Sequence, residues 1–359
     1  MAKNWFFGLT TRLVMLIVAA LLVLSYASVF VNPARIWLVS LAGILFVPFS
    51  LVNLLLFFWA IKRRSKSFWI PLLAFLPSVI FLGRYYQGNM NEDDRPVAQG
   101  QAVRIITWNV GRFAMQGEDS GLSSRRECED SVYSFIKSQD PDIICLQEFR
   151  TTDISQVKSY LKKYFPEYAS EYYLFKGRGH AFGNVTLSRL PVSGKGKIKF
   201  EESANLAIYT DYKTGGKVFR VYNCHFESYN ISFTGLVRAA VKADKEVFTE
   251  TGSKMKRSIT MRPKQVDKVF SHIEQCPVES FVCGDFNDNP MSYTYYRMTR
   301  GRKDSFVEAG EGFGATYSLM WPMLRIDYVL VPENFKVISN EIVRKPFSDH
   351  YPVVTEVEL

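Results

Sequence analysis

Apolar residues are arranged differently in the first quarter of the chain and in the remainder. Within residues 1–86 they form three long uncharged runs, at 13–31, 36–61 and 68–82, and Pro71 and Pro77 interrupt the third. A helix rises about 1.5 Å per residue, so roughly 20 apolar residues cross a bilayer core of about 30 Å. The pattern therefore predicts a membrane anchor of three transmembrane helices rather than a signal peptide, because no clear small-residue cleavage site follows the first run.

From residue 103 onward the apolar runs are short and β-rich, and they alternate with helical stretches near 124–138, 154–164, 233–250 and 262–275. Such alternation is typical of layered α/β domains. Residues 87–102 are polar and lack periodicity, which indicates a linker. The pattern thus divides the chain into an anchor (1–86), a linker (87–102) and one large domain (103–359).

Charge is also unevenly distributed. The net charge of +9 includes eight Lys or Arg within residues 1–86, where no Asp or Glu occurs, and this leaves 36 basic and 35 acidic residues for the rest. Basic residues stay in cytoplasmic loops, so the cluster at 62–66 should be inside. Three crossings then place the domain outside the cytoplasm, as in a multi-pass protein of a bacterial inner membrane. If the third run is only interfacial, the domain stays inside.

Polar side chains cluster where the apolar strand runs of the domain end. They are carboxylates, amides and histidines without cysteine, a hard, oxygen-rich set that suits Mg²⁺ or Mn²⁺. Such a set favours hydrolysis at phosphorus, with a metal that neutralises phosphate and a carboxylate that activates water. The residues are Asn109, Glu148, Asn223, His225, Glu227, Asp285, Asn287, Asp327, Asp349 and His350.

Seven strings within residues 103–359 occur in an order that resembles the endonuclease/exonuclease/phosphatase superfamily: TWNV, PDIICLQE, GNVTLSR, NCHFES, CGDFND, RIDYVL and SDHYPV. The superfamily includes DNase I, neutral sphingomyelinases, apurinic endonucleases and inositol polyphosphate 5-phosphatases. The resemblance implies an α/β (α+β) fold, a four-layer sandwich of two packed β-sheets flanked by helices, with the site at one edge.

The resemblance also implies a metal site and a substrate region. Glu148 of LQE matches the principal ligand of Mg²⁺, or of Mn²⁺, and Asn109 of TWN and Asp349 of SDH complete or support that site. Arg178 and Asn184 fall in a region where members of the family often contact the substrate, and a solvated loop is the open alternative there.

The catalytic roles implied by the resemblance fall on five further positions. Asp285 of GDFN matches the residue that activates water, and Asn287 matches the amide that holds phosphate. His350 of SDH matches the histidine on the scissile phosphate, and Asp327 of RIDY the carboxylate that orients it. His225 matches a second histidine that contacts substrate and protonates the leaving oxygen, and its presence argues against the apurinic endonuclease branch.

The expected function is therefore a membrane-tethered, Mg²⁺-dependent phosphoesterase that cleaves a phosphodiester or a phosphomonoester. A nuclease for DNA or RNA and a sphingomyelinase-like lipid phosphodiesterase are both open, although the near-neutral charge of the domain weakens the case for long nucleic acids. A catalytically silent binding protein on the same fold is the non-enzymatic alternative. The expected partners are a phosphate ester and, through the N-terminal helices, the lipid bilayer; no protein partner is implied.

Overall fold

A computed structural model describes residues 2–88, 96–115, 117, 120–229 and 245–359. The chain forms two compact units, and each unit is built from three segments that are not consecutive in the sequence. The first unit contains Met1–Tyr85, Tyr229–Lys264 and Asn289–Tyr296. The second contains Tyr86–Ser228, Gln265–Asp288 and Arg297–Leu359. Two segments from the C-terminal part of the chain therefore belong to the unit that holds the predicted anchor.

The first unit begins with five helices that follow the three apolar runs. They are α1 (Ala2–Ala27), α2 (Trp37–Ile44), α3 (Phe46–Lys62), α4 (Trp69–Phe75) and α5 (Ser78–Leu82), with a 3₁₀ turn at Lys66–Phe68. Several buried polar side chains of this unit donate hydrogen bonds to backbone carbonyl groups, as apolar surroundings favour. Asn53, for example, donates to the carbonyl oxygens of Val18 (3.2 Å) and Phe49 (2.9 Å).

The prediction of three transmembrane helices is wrong. Among the described residues, Leu9–Ala27 is the one helix long and apolar enough to cross a membrane, and a cleaved leader at an N-terminus has the same character. The second run is broken between α2 and α3, whose axes differ in direction by 60°. It forms a transmembrane span only if the two helices cross the membrane together as one bent segment. The third run is divided into short pieces. Multi-pass localisation is therefore not supported, and the orientation that required three crossings loses its basis.

Prolines explain both interruptions. Proline lacks an N–H group, and its ring collides with the carbonyl group four residues earlier. Pro48 therefore cannot continue a helix through Ile44, and α2 ends at Ile44. Pro77 separates α4 from α5 in the same way. The sequence therefore indicates the break at Pro77, but the hydrophobic pattern does not show the one that Pro48 causes in the second run.

The second unit contains two six-stranded mixed sheets. The first has the order β13-β14-β2-β3-β5-β4 and the second the order β10-β12-β9-β8-β7-β6. The first sheet comprises β2 (Ala102–Asn109), β3 (Ile143–Thr151), β4 (Ala169–Lys176), β5 (Ala181–Ser188), β13 (Lys336–Ile342) and β14 (Val353–Glu358). The second comprises β6 (Val192–Lys199), β7 (Leu206–Thr214), β8 (Lys217–His225), β9 (Glu279–Asp285), β10 (Arg302–Asp304) and β12 (Asp327–Pro332). A separate two-stranded ladder pairs β1 (Tyr86–Gln87) with β11 (Gly312–Phe313).

The predicted sandwich is confirmed as two packed sheets flanked by helices. Ile105 and Cys145 of one sheet share a buried core with Val221 and Cys283 of the other. The opposite face of the first sheet packs against α6 (Arg125–Ser138) and α7 (Val157–Tyr164). On the second sheet, the hydroxyl of Tyr222 is 2.8 Å from Nδ1 of His272 in α8 (Lys245–Glu274). Strands covered on both faces need no polar side, which explains their continuous apolar runs. Two short helices, α9 (Tyr293–Met298) and α10 (Ser305–Ala309), complete the α-helices of the described residues.

A buried amide joins the two sheets. Asn223 on β8 donates to the carbonyl oxygens of Leu146 (3.2 Å) and Val185 (2.9 Å) on the opposite sheet, and its Oδ1 accepts from Nε2 of Gln147 at 2.8 Å. We expect Asn223→Leu to lower the free energy of unfolding by about 2–4 kcal/mol, because several buried polar groups lose their partners at once. The loss is measured by denaturant unfolding of the full chain. Asn334→Leu, at an exposed position, is the control and should change stability by less than about 0.5 kcal/mol; equal stability of the two variants would contradict the prediction.

Candidate active site

The candidate site is centred on the carboxylate of Asp285, which is fully buried at the end of β9. Its Oδ2 accepts hydrogen bonds from the side-chain amides of Asn109 (2.9 Å) and Asn287 (3.1 Å), and its Oδ1 accepts from the backbone N–H of Asn287 (2.8 Å). Nε2 of His225 lies 3.7 Å from Oδ2 and Nε2 of His350 lies 3.9 Å from it. The structure therefore brings together both predicted histidines, the predicted water-activating carboxylate and two predicted amides.

Strand register explains this convergence. The strands β8 and β9 are parallel, and His225 and Asp285 are direct partners at their ends. On the other side of β9, Asp327 is the antiparallel partner of Asp285. Gly284, with φ of +130°, permits the close approach of β8, since a Cβ there would lie 2.0 Å from the carbonyl oxygen of Cys224. Only glycine adopts this conformation without strain.

His350 and Asp327 form a buried pair, with 2.9 Å between Nδ1 and Oδ2. Burial opposes protonation of His350, but the negative charges of Asp327 and Asp285 outweigh it and hold the pKa of the imidazole above its ordinary value. The hydrogen bond at Nδ1 turns Nε2 toward Asp285. The pair therefore holds the imidazole ring of His350 in one orientation beside the carboxylate of Asp327.

The SDH loop is fixed to the strand that carries Asn109. The hydroxyl of Ser348 donates to the carbonyl oxygen of Asn109 at 2.7 Å, and Nε1 of Trp108 donates to the carbonyl oxygen of His350 at 2.9 Å. Asn109 itself directs its amide nitrogen to Asp285 and its oxygen to the N–H of Gly111. Both ends of this side chain have protein partners, so Asn109 supports the site by holding Asp285.

Glu148 sits at a β-bulge of β3 with a left-handed φ of 52°. Nε of Arg112 donates to its Oε2 at 2.9 Å, and Nε2 of His225 lies 4.0 Å from its Oε1. A left-handed backbone is unfavourable for glutamate, and such strain is found where surrounding structure enforces a functional geometry. The bulge directs the carboxylate toward His225.

The charges of three carboxylates act on the hydroxyl of Tyr317. Burial together with the charges of Asp349, Asp285 and Glu148 raises the pKa of Tyr317 to about 12. Among the described residues, Arg112 is the only Lys or Arg that forms an ion pair with any of these three carboxylates, and its partner is Glu148. Hard oxygen donors with so little positive charge to balance them fit a divalent cation of the Mg²⁺ type.

Another group of possible ligands overlaps the first. Single ligand atoms of Asp285, Asp327 and His350 lie within 4.8 Å of one another. Within this group Nδ1 of His350 already bonds Oδ2 of Asp327. We therefore interpret these two residues as a hydrogen-bonded pair and not as ligands, and Glu148 and Asp349 are the carboxylates that could hold a metal.

The surroundings of two further predicted substrate residues, Arg178 and Asn184, differ from each other. Arg178 is exposed in the turn between β4 and β5. Asn184 is buried between the sheets and donates to the carbonyl oxygens of Asn223 (3.0 Å) and Leu206 (3.3 Å). No hydrogen bond or ion pair in the described part of the chain links either residue to Asp285, although the resemblance places both near the substrate.

Sequence reasoning missed two residues of the site. Arg112 pairs with Glu148, and the ring of Tyr317 packs edge-on against His350 at 5.2 Å between centroids. Arg112 follows TWNV closely, and its basic charge near a predicted ligand was an available signal. Tyr317 lies in a segment whose backbone bridges to His350, a contact for which the sequence carries no pattern.

Profiles of known families match two parts of the chain. The profile of a family described as the Endonuclease/Exonuclease/phosphatase family matches residues 106–350, and that of a domain of unknown function matches residues 5–85. No curated protein matches the chain.

Solved structures share the fold at low sequence identity. An endonuclease/exonuclease/phosphatase from Beutenbergia cavernae is 19% identical with a TM-score of 0.53, and the match covers 72% of each chain. The human Nocturnin catalytic domain with bound sulfate is 15% identical, with a TM-score of 0.53 over 76% of this chain and 99% of that one. TDP2 of D. rerio complexed with a single-strand DNA product is 16% identical, with a TM-score of 0.51 over 72% of this chain and all of that one (100%).

Proposed function

We propose that this chain, which belongs to the endonuclease/exonuclease/phosphatase family, is a hydrolase that cleaves a phosphoric ester with the help of Mg²⁺ or Mn²⁺ and is tethered to a membrane by its N-terminal apolar helix. The observation that carries the proposal is the group around Asp285. Two amides hold its Oδ2, and two imidazole Nε2 atoms lie within 4 Å of that oxygen.

Each of these residues has a chemical task in this proposal. A water molecule attacks phosphorus and transfers a proton to Oδ2 of Asp285 while the bond from phosphorus to the leaving oxygen breaks. His225 gives a proton from Nε2 to that oxygen. His350, oriented by Asp327, donates a hydrogen bond to a non-bridging phosphate oxygen, where negative charge develops. Asn109 and Asn287 hold Asp285 in place, and fixed geometry of this kind accelerates reactions strongly.

Nε2 of His225 supports this assignment. The atom is buried and has no hydrogen-bond partner in the described structure. A buried polar atom without a partner is costly, so it is expected where a substrate supplies the missing partner.

Glu148 and Asp349 would hold the cation, and Asn109 would support them through Asp285. When bound, the cation neutralises the charge of the phosphate group. The ion pair between Arg112 and Glu148 keeps the ligand carboxylate in place within a group that is otherwise rich in negative charge.

An activity screen tests the class of reaction. The full-length protein in detergent, with Mg²⁺ or Mn²⁺, is assayed on bis(p-nitrophenyl) phosphate, p-nitrophenyl phosphate, plasmid DNA, RNA and vesicles that contain sphingomyelin or phosphoinositides. Hydrolysis in at least one arm supports the proposal. Inactivity in every arm, with binding of the cation retained, would favour a silent binding protein.

A specific surface favours a lipid phosphodiester among these substrates. The segment after Tyr317 begins at the site, where the backbone N–H of Ser318 donates to the carbonyl oxygen of Asp349 at 2.8 Å. It then exposes Leu319, Trp321 and Met323, which are 56%, 42% and 37% accessible. We call these three side chains the apolar rim. Neighbouring exposed apolar side chains mark contact with a partner or a membrane, whereas channels for single-stranded nucleic acids are strongly basic.

Substitution of Trp321 separates the lipid and nucleic-acid alternatives. We expect Trp321→Ser to reduce headgroup release from vesicles at least about 5-fold, because less apolar surface is buried against lipid. Hydrolysis of soluble bis(p-nitrophenyl) phosphate should stay unchanged. Val218→Ser, which replaces a similarly exposed residue on β8, is the control. Equal losses on both substrates, or a selective loss of DNA cleavage, would count against a lipid substrate.

A further inference from the structure

A buried carboxylate with no task in the proposed chemistry follows the strand that carries His225. Strand β8 ends at His225, and Glu227 lies two residues further along the chain. Glu227 is only 8% exposed. Burial of a charged carboxylate is costly unless hydrogen-bond donors surround it. The donors that satisfy Glu227 therefore determine how the chain is held just after β8.

Two side chains bind this carboxylate. Oε2 of Glu227 accepts from the hydroxyl of Ser203 at 2.5 Å and from Nε2 of Gln265 at 3.1 Å. Oε1 of Gln265 accepts in turn from the backbone N–H of Glu227 at 2.8 Å. Gln265, a buried residue of α8, thus holds both the side chain and the backbone of Glu227. All three residues belong to the second unit, as do the residues of the candidate site.

The residue before Glu227 forms direct hydrogen bonds with the candidate site. The backbone N–H of Phe226 donates to the carbonyl oxygen of Asp285 at 3.0 Å. The carbonyl oxygen of Phe226 accepts from Nδ2 of Asn287 at 2.9 Å and from Nδ2 of Asn205 at 2.8 Å. The backbone of Phe226 therefore contacts both the residue assigned to activate water and the amide that holds it.

A single peptide group couples these two sets of contacts. The carbonyl group of Phe226 and the N–H group of Glu227 belong to the same peptide bond, which is planar. Because Gln265 binds the N–H side of this plane, it fixes the direction in which the carbonyl oxygen faces Asn287. Asn287 has a left-handed φ of 52°, a conformation that surrounding contacts must enforce. Glu227 and Gln265 therefore support the conformation of Asn287 through one rigid group.

The position of this contact at a strand end gives it a further effect. His225 and Asp285 are the last paired residues of β8 and β9. The ends of secondary-structure elements open more readily than their centres. A side chain that locks the chain just beyond the end keeps the last pair in register, as the support of a catalytic site requires.

We propose that Glu227 is a positioning residue: together with Gln265, it locks the peptide bond after Phe226 against the catalytic residues. The locked peptide keeps Asn287 on Asp285 and His225 opposite Asp285. In this assignment Glu227 acts through the backbone and touches no reacting atom. The inference rests on the proposed function, since it takes Asp285 as the group that activates water and His225 as the proton donor to the leaving oxygen.

The test exchanges the two hydrogen-bonding side chains in the full-length protein in detergent. In Gln265→Glu the donor to Glu227 becomes a second carboxylate, and repulsion separates the pair. We expect kcat on bis(p-nitrophenyl) phosphate to fall about 10- to 30-fold, with KM within about 2-fold. The double variant Gln265→Glu/Glu227→Gln restores a donor opposite an acceptor, so kcat should return to within about 3-fold of the unchanged protein. Gln156→Glu, at an exposed position before α7, is the control and should have no effect.

A second substrate separates positioning from a general loss of folded protein. Diphenyl phosphate has a poorer leaving group than bis(p-nitrophenyl) phosphate, so its cleavage depends more on the proton from His225. We expect Gln265→Glu and His225→Ala to lower kcat/KM at least about 3-fold more on diphenyl phosphate than on bis(p-nitrophenyl) phosphate. A smaller folded fraction would lower both rates equally.

A milder variant covers the possibility that Gln265→Glu folds poorly. Ser203→Ala removes one hydrogen bond to Glu227 and adds no atoms, and we expect kcat to fall about 2- to 5-fold with an unchanged KM. Unchanged kcat in the folded variants, equal losses on the two substrates, or no recovery in the double variant would each overturn the inference. Failure of the proposed function is recognised separately, because Asp285→Asn would then retain activity and His225→Ala would lower both rates equally.

Discussion

Replacement of Asp285 by asparagine is expected to lower kcat/KM for phosphate-ester hydrolysis at least about 1000-fold, which combines a lost proton acceptor with disturbed electrostatics. Asparagine has the same shape as aspartate but cannot take a proton from water. Its amide would also face the donor groups of Asn109 and Asn287, which now point at Oδ2. Initial rates with saturating Mg²⁺ measure the effect.

Stability should respond differently from activity in this variant. Asp285 is fully buried, and its strand partner is the second buried carboxylate, Asp327. Removing one of two neighbouring negative charges relieves repulsion, so we expect Tm to stay within a few degrees of the unchanged protein. Asp130→Asn, at an exposed ion pair on α6, is the control for removal of an aspartate charge. Activity above about a tenth of the original value in a folded Asp285→Asn protein would contradict the assigned role.

Removal of divalent cations is expected to abolish activity, to below about 1% of the original rate, and addition of Mg²⁺ or Mn²⁺ should restore it. The hard-donor composition of the site is the reason, since Glu148 and Asp349 prefer such ions. Dialysis against EDTA followed by titration with each cation measures the effect. Zn²⁺ added in the same range tests the preference for hard ions.

The substitution Glu148→Gln tests whether the dependence of activity on divalent cations comes from Glu148. The amide keeps the size of the side chain but loses its charge, so the Mg²⁺ concentration for half-maximal activity should rise at least about 10-fold. Glu171→Gln removes a carboxylate that pairs with Lys195 on the surface and should leave the titration unchanged. Full activity in EDTA, or identical titrations for the two variants, would exclude a metal held by Glu148.

Sequence reasoning predicted the second unit well because its signals are local. The strands β2, β3, β8 and β9 coincide with short apolar runs, and polar motifs stand at their ends because a sheet edge presents the side chains that leave the core. Asn109, Asp285 and His350 meet for this reason. Their meeting depends on register, which the resemblance to a known family supplied and periodicity alone did not.

The remaining features depend on contacts between distant residues. Asn184 carries the same polar group as Asn287, yet one bridges the two sheets and the other holds Asp285. Residue type cannot separate these roles, because they depend on position: Asn184 lies within β5, whereas Asn287 follows the end of β9. Hydrophobicity likewise counts the apolar residues of the run that contains Pro48 but does not show the break between α2 and α3. The burial of Met291 in the core of the N-terminal helices cannot be recognised from the hydrophobic pattern around residue 291.

The contact of Met291 with the N-terminal helices affects when these helices can assemble during synthesis. Arg84 and Pro290, which hydrogen-bond to each other, are 206 residues apart in the sequence, and Ser28 and Met291 are 263 apart. Synthesis proceeds from the N-terminus, so the ribosome has produced all of β2 to β9 before Met291 emerges. The core of the N-terminal helices therefore lacks Met291 until most of the sheet sandwich has been translated. Closing so long a loop is slow, and the order of synthesis makes assembly of the helices a late event in the biogenesis of this protein.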